Sequence, residues 1–345
     1  MRVGMLTGGG DCPGLNAVIR AAVRKGIFHY GDEFIGFIEG WRGVVENNTK
    51  PLTIESVSGI LHQGGTILRT SRTNPRKKEG AMDQCLKTIE ANKLDALITI
   101  GGDDTQGVAN ALIARGVKCV GVPKTIDNDL SGTDQCFGFD TAVMIATEAI
   151  DRVHSTAEAH NRVIVVEVMG RDAGWIALWS GVAGGADVIY VPEKPIDLDA
   201  GAKILKDRLS RGKKFSIVVV AEGAKMPETD AQATHGTKVD EFGHARLSGI
   251  GQVVAEGLEA RTGFETRSVN LGHTQRGGTP TAYDRMLATR YGSAAIDLVH
   301  QGKFGRLVVL RGTEITDIPL ADAIAKTKTV SDELLAIATG LQPKL

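Results

Sequence analysis

Residues 118–129 have the sequence KCVGVPKTIDND, a short apolar run that ends in a lysine, a threonine, an asparagine and two aspartates. The apolar part predicts a buried strand, so the polar residues would lie at its carboxyl end, where open α/β sheets bind ligands. Residues 96–105, ALITIGGDDT, have the same design with two further aspartates. Two neighbouring strands would then bring four carboxylates to one crevice. Because such groups repel one another unless a cation lies among them, the pattern predicts a magnesium ion beside phosphate.

The rest of the chain alternates short apolar runs with segments of helical periodicity, which predicts parallel sheets covered by helices. Its 345 residues exceed the size at which a single core stops growing, so we expect two lobes. The predicted fold class is α/β, with two lobes that are each a mostly parallel sheet with helices on both faces. Further predictions are a helix at residues 56–61, an exposed excursion at about 225–245 and a mostly helical tail from Asp322.

The composition restricts the class of partner and the compartment. A formal net charge of −1 does not provide the excess of positive charge with which proteins bind nucleic acid. The cysteines form no CxxC pair, which predicts reduced, buried thiols; they are Cys12, Cys85, Cys119 and Cys136. Residues 1–6 lead into a glycine loop before a signal-peptide core could form, and no apolar run reaches membrane-spanning length. We therefore expect a soluble cytoplasmic protein with neither nucleic acid nor a membrane as its partner.

A glycine-rich loop, TGGGDCPG at residues 7–14, lies between a predicted strand and a predicted helix at 15–28. Three consecutive glycines let the backbone approach a ligand closely, and the following helix N-terminus favours an anion. A dinucleotide fingerprint would need glycine in place of Pro13, and a Walker A loop would need lysine in place of Leu15. A glycine-rich turn without a ligand is the alternative interpretation.

Basic side chains recur at the ends of predicted elements, mostly beside glycine: Arg162, Arg171, Arg267, His273 and Arg276. A lone arginine is more often a partner in a surface salt bridge. Together, these residues predict a second anion site for the phosphate of a sugar phosphate, with Glu222 available for a hydroxyl. Arg69 and Arg72, in the loop at 63–78, are candidates for phosphate contacts. A magnesium-phosphate site that faces a sugar-phosphate site indicates a phosphoryl transferase.

Five motifs, in order and spacing, resemble those of the phosphofructokinase family over nearly the whole chain. They are GGDCPG at 9–14, GGD at 101–103, TIDND at 125–129, VMGR at 168–171 and GHTQRGG at 272–278. The resemblance implies an active site in the cleft between two α/β lobes. The implied ranges are 1–138 for the phosphoryl-donor lobe, with about 252–305 returning to it, 139–251 for the fructose 6-phosphate lobe, and 306–345 for a C-terminal extension.

The resemblance also implies a role for each matching residue. Asp127 would be the general base that takes the proton from the sugar 1-hydroxyl. Asp103 would hold Mg²⁺, with support from Asp129, and Gly10 and Arg72 would contact the donor phosphates. The fructose 6-phosphate pocket would be formed by Thr125, Ile126, Asp127, Met169, Gly170, Arg171, Glu222, His273, Thr274, Gln275 and Arg276.

The resemblance further implies an oligomer. In the family, the arginines that match Arg162 and Arg267 reach into the sugar pocket from a neighbouring subunit. We therefore expect a homodimer or a homotetramer.

Two positions distinguish this sequence from the ATP-using branch of the family, which has glycine at both. Asp104 would occupy the space that a nucleotide's α-phosphate needs, and its negative charge would repel that phosphate. The ammonium of Lys124 could pair with pyrophosphate and with Asp104, and it would stabilise the leaving phosphate. The pair resembles the pyrophosphate-dependent branch, which implies reversible transfer from pyrophosphate to the 1-hydroxyl of fructose 6-phosphate, in glycolysis or gluconeogenesis.

Two other functions are alternatives to pyrophosphate-dependent phosphoryl transfer. An ATP-dependent kinase of the same fold is one alternative, and a nucleotide-binding or oxidoreductase module built on residues 8–10 is another.

The family's effector site is matched only in part, by Arg20, Arg24, Arg211 and Lys213, because Ile54 and His154 replace two basic residues. An anion pocket that lacks two cations should bind nucleoside diphosphate weakly, so we expect no allosteric control of the usual kind.

Overall fold

The chain forms two mostly parallel β-sheets in a computed structural model that describes residues 1–227, 234–239, 245–247 and 249–340. The strands are β1 (Arg2–Thr7), β2 (Glu33–Phe37), β3 (Thr49–Leu52), β4 (Ala96–Gly101), β5 (Cys119–Pro123), β6 (Val163–Val168), β7 (Val188–Tyr190), β8 (Ser216–Ala221), β9 (Thr234–Val239), β10 (Ala245–Leu247), β11 (Thr266–Asn270), β12 (Arg306–Arg311) and β13 (Glu314–Pro319). The helices are α1 (Leu15–Lys25), α2 (Trp41–Glu46), α3 (Ala81–Ala91), α4 (Asp103–Ile113), α5 (Phe139–His160), α6 (Trp175–Ala183), α7 (Leu198–Ser210), α8 (Ile250–Thr262), α9 (Ala282–His300), α10 (Leu320–Ala323) and α11 (Asp332–Gly340).

The first sheet has the strand order β13-β12-β5-β4-β1-β2-β3 within the described residues. Its central strands pair in parallel, whereas the outer pairs β2–β3 and β12–β13 are antiparallel. Thr7 pairs with Ile100, and Gly101 pairs with Pro123, so β1, β4 and β5 end at the same edge. The glycine loop and the two acidic stretches that follow these strands therefore lie side by side, as the sequence predicted.

The second sheet has the order β11-β6-β8-β7, and all of its strands are parallel. Its central strand β6, VIVVEV, is buried along its whole length. Val168 pairs with Ala221, so Met169 and Glu222 leave the sheet at the same edge. The register thus brings the turn after β6 next to the end of β8.

Helices cover both faces of each sheet. In the first sheet, Leu6 and Leu97 pack with α2 and α4, while Met5 and Ile98 on the other face pack with α1 and α9. Such alternation is expected where successive side chains of a strand point to opposite faces. The second sheet is covered by α7 and α8 on one face and by α5 and α6 on the other. The predicted α/β class with two mostly parallel sheets is confirmed.

The lobe boundaries stay predictions, but the sheets fix where several segments belong. Residues 252–270, which were expected to return to the first lobe, lie instead on the second sheet, because α8 packs on β6 and β11 pairs with β6. The chain returns to the first sheet at α9, which packs along α1. The predicted extension at 306–345 begins with β12 and β13, and both strands belong to the first sheet.

One prediction about a single segment is wrong, and two others can be described in more detail. The helix expected at 56–61 is a series of turns at residues 54–59. Thr53 and Ser56 hydrogen-bond each other's backbone N–H groups as in a helix N-terminal capping box, but Gly59 has a left-handed φ of 72°, which ends the turns before a helix forms. In the excursion at 225–245, β9 pairs antiparallel with β10, and residues 228–233 and 240–244 lie outside the described part. In the tail from Asp322, the end of α10 and all of α11 are helical among the described residues, whereas residues 324–331 between them form no helix.

Two composition-based expectations are met in part. All four cysteines are buried and free of disulfide bonds. Among the described residues, no helix combines the length and the apolar character that crossing a bilayer requires. The compartment stays a prediction.

A buried glutamine joins the strand ends that carry the acidic stretches. Gln106, on α4, is fully buried, and its Nε2 donates to the carbonyls of Thr99 at 2.9 Å, Val122 at 3.1 Å and Gly101 at 3.3 Å. Its Oε1 accepts a hydrogen bond of 2.9 Å from Thr99 Oγ1. One amide therefore satisfies polar groups at the ends of both β4 and β5.

We expect Gln106→Leu to lower the free energy of unfolding by about 2–4 kcal/mol, because several buried polar groups would lose their partner. Urea unfolding followed by circular dichroism measures this change. Gln84→Leu, at an exposed position of α3, is the matched control and should change stability by less than about 0.5 kcal/mol. Equal effects of the two substitutions would contradict the role given to the Gln106 amide.

Candidate active site

The glycine loop at residues 8–10 packs closely against two side chains. A Cβ atom on Gly8 would lie 2.5 Å from Thr105 Oγ1, at the start of α4, and one on Gly10 would collide with the Arg276 guanidinium. A side chain at Gly8 would therefore have to displace the short Thr105 side chain, whereas at Gly10 it would push aside the end of the flexible Arg276 side chain. The loop thus brings the first sheet into contact with Arg276, which lies in the segment after β11 of the second sheet.

Lys124 is buried beside this loop. Its side chain is 3% exposed, and its Nζ donates a hydrogen bond to the Gly10 carbonyl. Burial lowers the pKa of Lys124 and Arg276 adds to that effect, while the carboxylates of Asp127 and Asp11 oppose it. The structure therefore places the Lys124 ammonium between the glycine loop and Asp127; its predicted pairing with Asp104 stays a prediction.

Four carboxylates lie where α4 begins and β5 ends. Asp103 and Asp104 form the first turn of α4, where the helix N-terminus stabilises negative charge. Asp127 is buried, and Asp129 is half-buried. Burial, together with the charges of Asp127 and Asp103, raises the pKa of Asp129 to about 7. These groups are therefore close enough to repel one another, as the sequence predicted.

Asp127 has a free oxygen in this cluster. The Asp127 backbone N–H donates to Thr125 Oγ1 at 3.0 Å, which fixes the turn that carries the carboxylate. Asp127 Oδ1 is buried and has no hydrogen-bond partner within the described chain. A buried carboxylate oxygen without a partner is suited to accept a proton or a hydrogen bond from a ligand.

Arg171, which follows a strand of the second sheet, offsets the negative charge of this cluster. Burial disfavours its charged form, but the carboxylates of Asp103, Asp127 and their neighbours outweigh that effect and raise the pKa of Arg171. Its backbone has a left-handed φ of 51°, and its N–H donates to Glu222 Oε1 at 3.3 Å. A side chain that follows β6 thus neutralises carboxylates that follow β4 and β5.

The predicted sugar pocket is assembled from three segments of the second sheet's edge. The Met169 backbone N–H donates to the buried Gln275 Oε1 at 3.4 Å, which joins the turn after β6 to a 3₁₀ turn at 272–276. Burial, together with the charge of Asp127, raises the pKa of Glu222 to about 7. His273 and Thr274 are exposed on the same 3₁₀ turn. Through Glu222, this edge of the second sheet lies close enough to Asp127 for their charges to interact.

Glu167 fixes the approach to that 3₁₀ turn. Its buried carboxylate accepts hydrogen bonds from Asn270 Nδ2 at 2.6 Å, from Gly251 N at 2.8 Å and from Gly249 N at 3.1 Å. Its carbonyl accepts one of 3.0 Å from Leu271 N. The carboxylate thus caps the N-terminus of α8 and holds the end of β11.

Arg162 and Arg267 do not reach this site in the same chain. Both form ion pairs with Glu265, at 2.8 and 2.6 Å, at the start of β6 and β11. The turn that carries Arg171 lies at the other end of β6, roughly 20 Å away for a strand of this length. Their predicted role in a neighbouring subunit stays a prediction, as does the contact of the exposed Arg72 with a donor phosphate.

The carboxylates fit a magnesium ion that is shared with phosphate. In the described parts of the chain, no three His, Cys, Asp or Glu residues lie close enough together to hold a metal ion by themselves. Mg²⁺ does not require such a cage, because it is commonly bound by one or two carboxylates, water and substrate phosphates. Asp103, beside the free oxygen of Asp127, offers this type of half-site.

A family model described as phosphofructokinase matches residues 2–299. The chain belongs to the phosphofructokinase family. It is therefore a phosphotransferase enzyme, and the resemblance inferred from the five motifs is confirmed.

Some relatives of this chain are named for pyrophosphate as the phosphoryl donor, and others are named for ATP. The pyrophosphate–fructose 6-phosphate 1-phosphotransferase of Streptomyces coelicolor is 58% identical over 335 residues, which cover 97% of each chain. The ATP-dependent 6-phosphofructokinase 3 of the same organism is 52% identical over 338 residues, 98% of this chain and 99% of the relative. Overall identity thus leaves the donor to be decided from individual residues.

A solved phosphofructokinase from Pichia pastoris, in the T-state, has the same fold. It superposes with a TM-score of 0.83 and 31% identity over 98% of this chain. The present chain spans 36% of the length of that chain. This phosphofructokinase fold agrees with the two helix-covered sheets described above.

A cavity of about 600 Å³ lies beside α7, where two residues of the predicted partial effector site are found. Arg211 and Lys213 line it, together with Arg208, whereas the residues lining it do not include Arg20 or Arg24. Two of the lining cations already have acidic partners on the same chain: Arg208 pairs with Asp187 at 2.8 Å, and Arg211 pairs with Asp207 at 2.9 Å.

Some groups around the site were not predicted from the sequence. Thr70 Oγ1 donates to the Gly9 carbonyl at 2.5 Å, and Gln106 holds the strand ends. Lys328 contacts the acidic turn from a segment about 200 residues further along the chain. The sequence gives no signal for a threonine in a loop or for a lysine in a segment without periodicity. Gln106 could have been found, because it lies on the apolar face of the helix that begins in the GGDD motif.

We expect Glu222→Gln to stabilise the unliganded protein at pH 8 but to have little effect at pH 5. Because the native pKa of Glu222 is raised to about 7, the folded protein binds the proton more tightly than the unfolded chain does. Stability is therefore lost as the pH rises from about 4.5 to 7, and the glutamine variant avoids that loss. Urea unfolding at both pH values should show a difference on the order of 2 kcal/mol.

The control for this prediction is Glu90→Gln, at an exposed position of α3. Its effect on stability should be small at both pH values. A Glu222→Gln variant whose stability follows the wild type from pH 5 to pH 8 would show that Glu222 is ionised at little cost in the native state.

Proposed function

We propose that this phosphofructokinase is a pyrophosphate:fructose 6-phosphate 1-phosphotransferase, which transfers phosphate reversibly from pyrophosphate to the sugar 1-hydroxyl. The observation that carries the proposal is the position of Lys124. Its ammonium is buried against the Gly10 carbonyl, at the end of β5 and beside Asp127. A buried cation here is suited to two linked phosphates, and its side chain occupies volume that glycine would leave for a nucleotide.

Asp127 is the proposed general base. Its free Oδ1 would accept the proton of the 1-hydroxyl as the sugar oxygen attacks the phosphoryl group. Lys124 and Arg171 both interact electrostatically with this carboxylate and would stabilise negative charge on the transferring phosphate. Asp127 would accept this proton without leaving its position after β5.

Asp103 is the proposed Mg²⁺ ligand, with Asp129 in support. The bound ion would neutralise charge on the phosphates. Asp104 extends the same helix turn toward the donor and would exclude a nucleotide α-phosphate by repulsion. Arg72 and Gly10 are proposed to contact the donor phosphates.

Fructose 6-phosphate is proposed to bind along the edge of the second sheet. The proposed contacts are Thr125, Ile126, Met169, Gly170, Arg171, Glu222, His273, Thr274, Gln275 and Arg276. Arg162 and Arg267 would complete the pocket from a neighbouring subunit of a cytoplasmic homodimer or homotetramer. Their distance from this chain's own Arg171 supports that arrangement.

A donor panel tests the proposed function directly. Purified protein is assayed with fructose 6-phosphate, Mg²⁺ and either pyrophosphate or ATP, and turnover with pyrophosphate is expected. Adding a nucleoside diphosphate or phosphoenolpyruvate should leave the rate unchanged, because the effector pocket is incomplete. Brisk turnover with ATP alone would instead assign the protein to the second candidate, an ATP-dependent 6-phosphofructokinase, which the 52% identical relative favours.

We expect Asp127→Ser to lower kcat by about 100- to 10,000-fold, because general-base catalysis contributes that much. The KM for fructose 6-phosphate should change little. Steady-state kinetics in the direction of sugar phosphorylation measure both constants. Asp151→Ser, at an exposed position of α5, is the matched control with expected wild-type kinetics. An Asp127→Ser variant with normal kcat and a raised KM would make Asp127 a binding residue.

The joint substitution Asp104→Gly with Lys124→Gly should shift the donor preference toward ATP by at least about 100-fold, equivalent to about 2.7 kcal/mol. The reason is that removing both side chains opens the donor site and removes the repulsion. The measurement is the ratio of kcat/KM values for ATP and pyrophosphate. Each single substitution serves as a control and should mainly reduce activity with pyrophosphate. If the ratio is unchanged in the double variant, these two residues do not determine the donor.

A further inference from the structure

Residues 324–331, here called the strap, connect α10 to α11 and run past the acidic turn. Leu130 and Thr327 form an antiparallel bridge, and Ser131 Oγ donates to the Lys326 carbonyl at 2.9 Å. The Lys328 backbone N–H donates to the Asp129 carbonyl at 2.7 Å. The strap thus pairs with the chain immediately after Asp127.

The other side of the strap contacts the second sheet's edge. Trp175 Nε1 donates to the Lys328 carbonyl at 2.8 Å. Glu193 Oε1 accepts two hydrogen bonds of 2.9 Å, one from Gly174 N and one from Val330 N. Gly174 and Trp175 directly follow the turn that carries Arg171. The strap therefore touches both of the turns whose charges meet in the active site.

The Lys328 side chain adds a second set of contacts at the same point. Its ammonium donates to the carbonyls of Thr133 at 2.9 Å and Asp134 at 3.0 Å, in the loop that continues the acidic turn. It also lies 5.0 Å from the centre of the Trp175 ring, a favourable cation–π distance. One residue thus binds the first-sheet turn through its N–H and ammonium, and Trp175 through its carbonyl and its charge.

We propose that Lys328 is a positioning residue for phosphoryl transfer, which holds the turn of Asp127 and Asp129 at a fixed distance from the turn of Arg171. This inference rests on the proposed function for the role of Asp127, but not for the identity of the donor. The proton acceptor and the charge-stabilising arginine come from different sheets, and a displacement of about 1 Å between such groups can cost about 100-fold in rate. Lys328 does not touch the reacting atoms.

Three variants test the proposal. Lys328→Met keeps an unbranched side chain beside Trp175 but removes the ammonium, whereas Lys328→Arg can still donate to both carbonyls and stack on the ring. Lys326→Met makes the same chemical change at an exposed position of the strap and is the matched control. kcat and the KM values of sugar phosphate and donor are measured for each, with pyrophosphate and with ATP, and normalised to the folded fraction at the assay temperature.

We expect kcat of Lys328→Met to fall about 10- to 100-fold, with KM values within about threefold of the wild type. Lys328→Arg should recover kcat to within about threefold, and Lys326→Met should match the wild type. The proposal is overturned if Lys328→Met loses activity only in proportion to its folded fraction, if KM alone changes, or if Lys326→Met is equally impaired. Turnover of the wild type with ATP alone would refute the proposed donor, and the same comparison would then be made on the ATP rates.

A double-mutant cycle tests whether Lys328 acts through Trp175. Trp175→Phe removes the indole N–H and weakens the cation–π contact while retaining an aromatic ring. If the two residues act together, the combined Lys328→Met and Trp175→Phe variant should lose little more kcat than either single variant. Independent, multiplicative losses would overturn the link between the two sheets.

Discussion

The repulsion among the carboxylates of Asp103, Asp127 and Asp129 is the constraint on which the rest of the site depends. It contributes to raising the pKa of Asp129 to about 7, so the cluster is unfavourable without positive charge nearby. The cations that offset it come from different parts of the chain: Lys124 follows β5, and Arg171 follows β6. The negative charge at the edge of one sheet is thus balanced in part by a cation at the edge of the other, which explains why the proposed active site lies where these two edges meet.

Parallel strand pairing made much of this arrangement predictable. The apolar runs at 96–100 and 118–122 identify β4 and β5, and the carboxyl ends of adjacent parallel strands lie at one edge. From this rule alone, the aspartates after the two strands were expected to meet. The same reasoning applies to Met169 and Glu222, which leave β6 and β8 at paired positions.

The rest was not predictable, because it depends on contacts between segments that are distant in sequence. The expected helix at 56–61 ends as turns at Gly59, whose left-handed backbone conformation the periodicity of apolar residues does not reveal. The return of the chain to the first sheet at α9 rather than near residue 252 depends on the pairing of β11 with β6. Lys328 and Trp175 lie in segments without periodicity or motif, so only the folded chain shows that they meet.

The two named donors among relatives of similar identity indicate that most of this sequence specifies the scaffold rather than the donor. A fold held together by buried strands, the Gln106 amide and the Glu167 carboxylate can retain its geometry while a few surface-facing positions change. Lys124 differs from such positions because it is buried and because its ammonium satisfies the Gly10 carbonyl. A glycine there would remove a cation, a hydrogen bond and a filled volume at once, so this substitution alone should mainly impair the site. For this reason a buried lysine beside three glycines is stronger support for a donor assignment than a few per cent of overall identity.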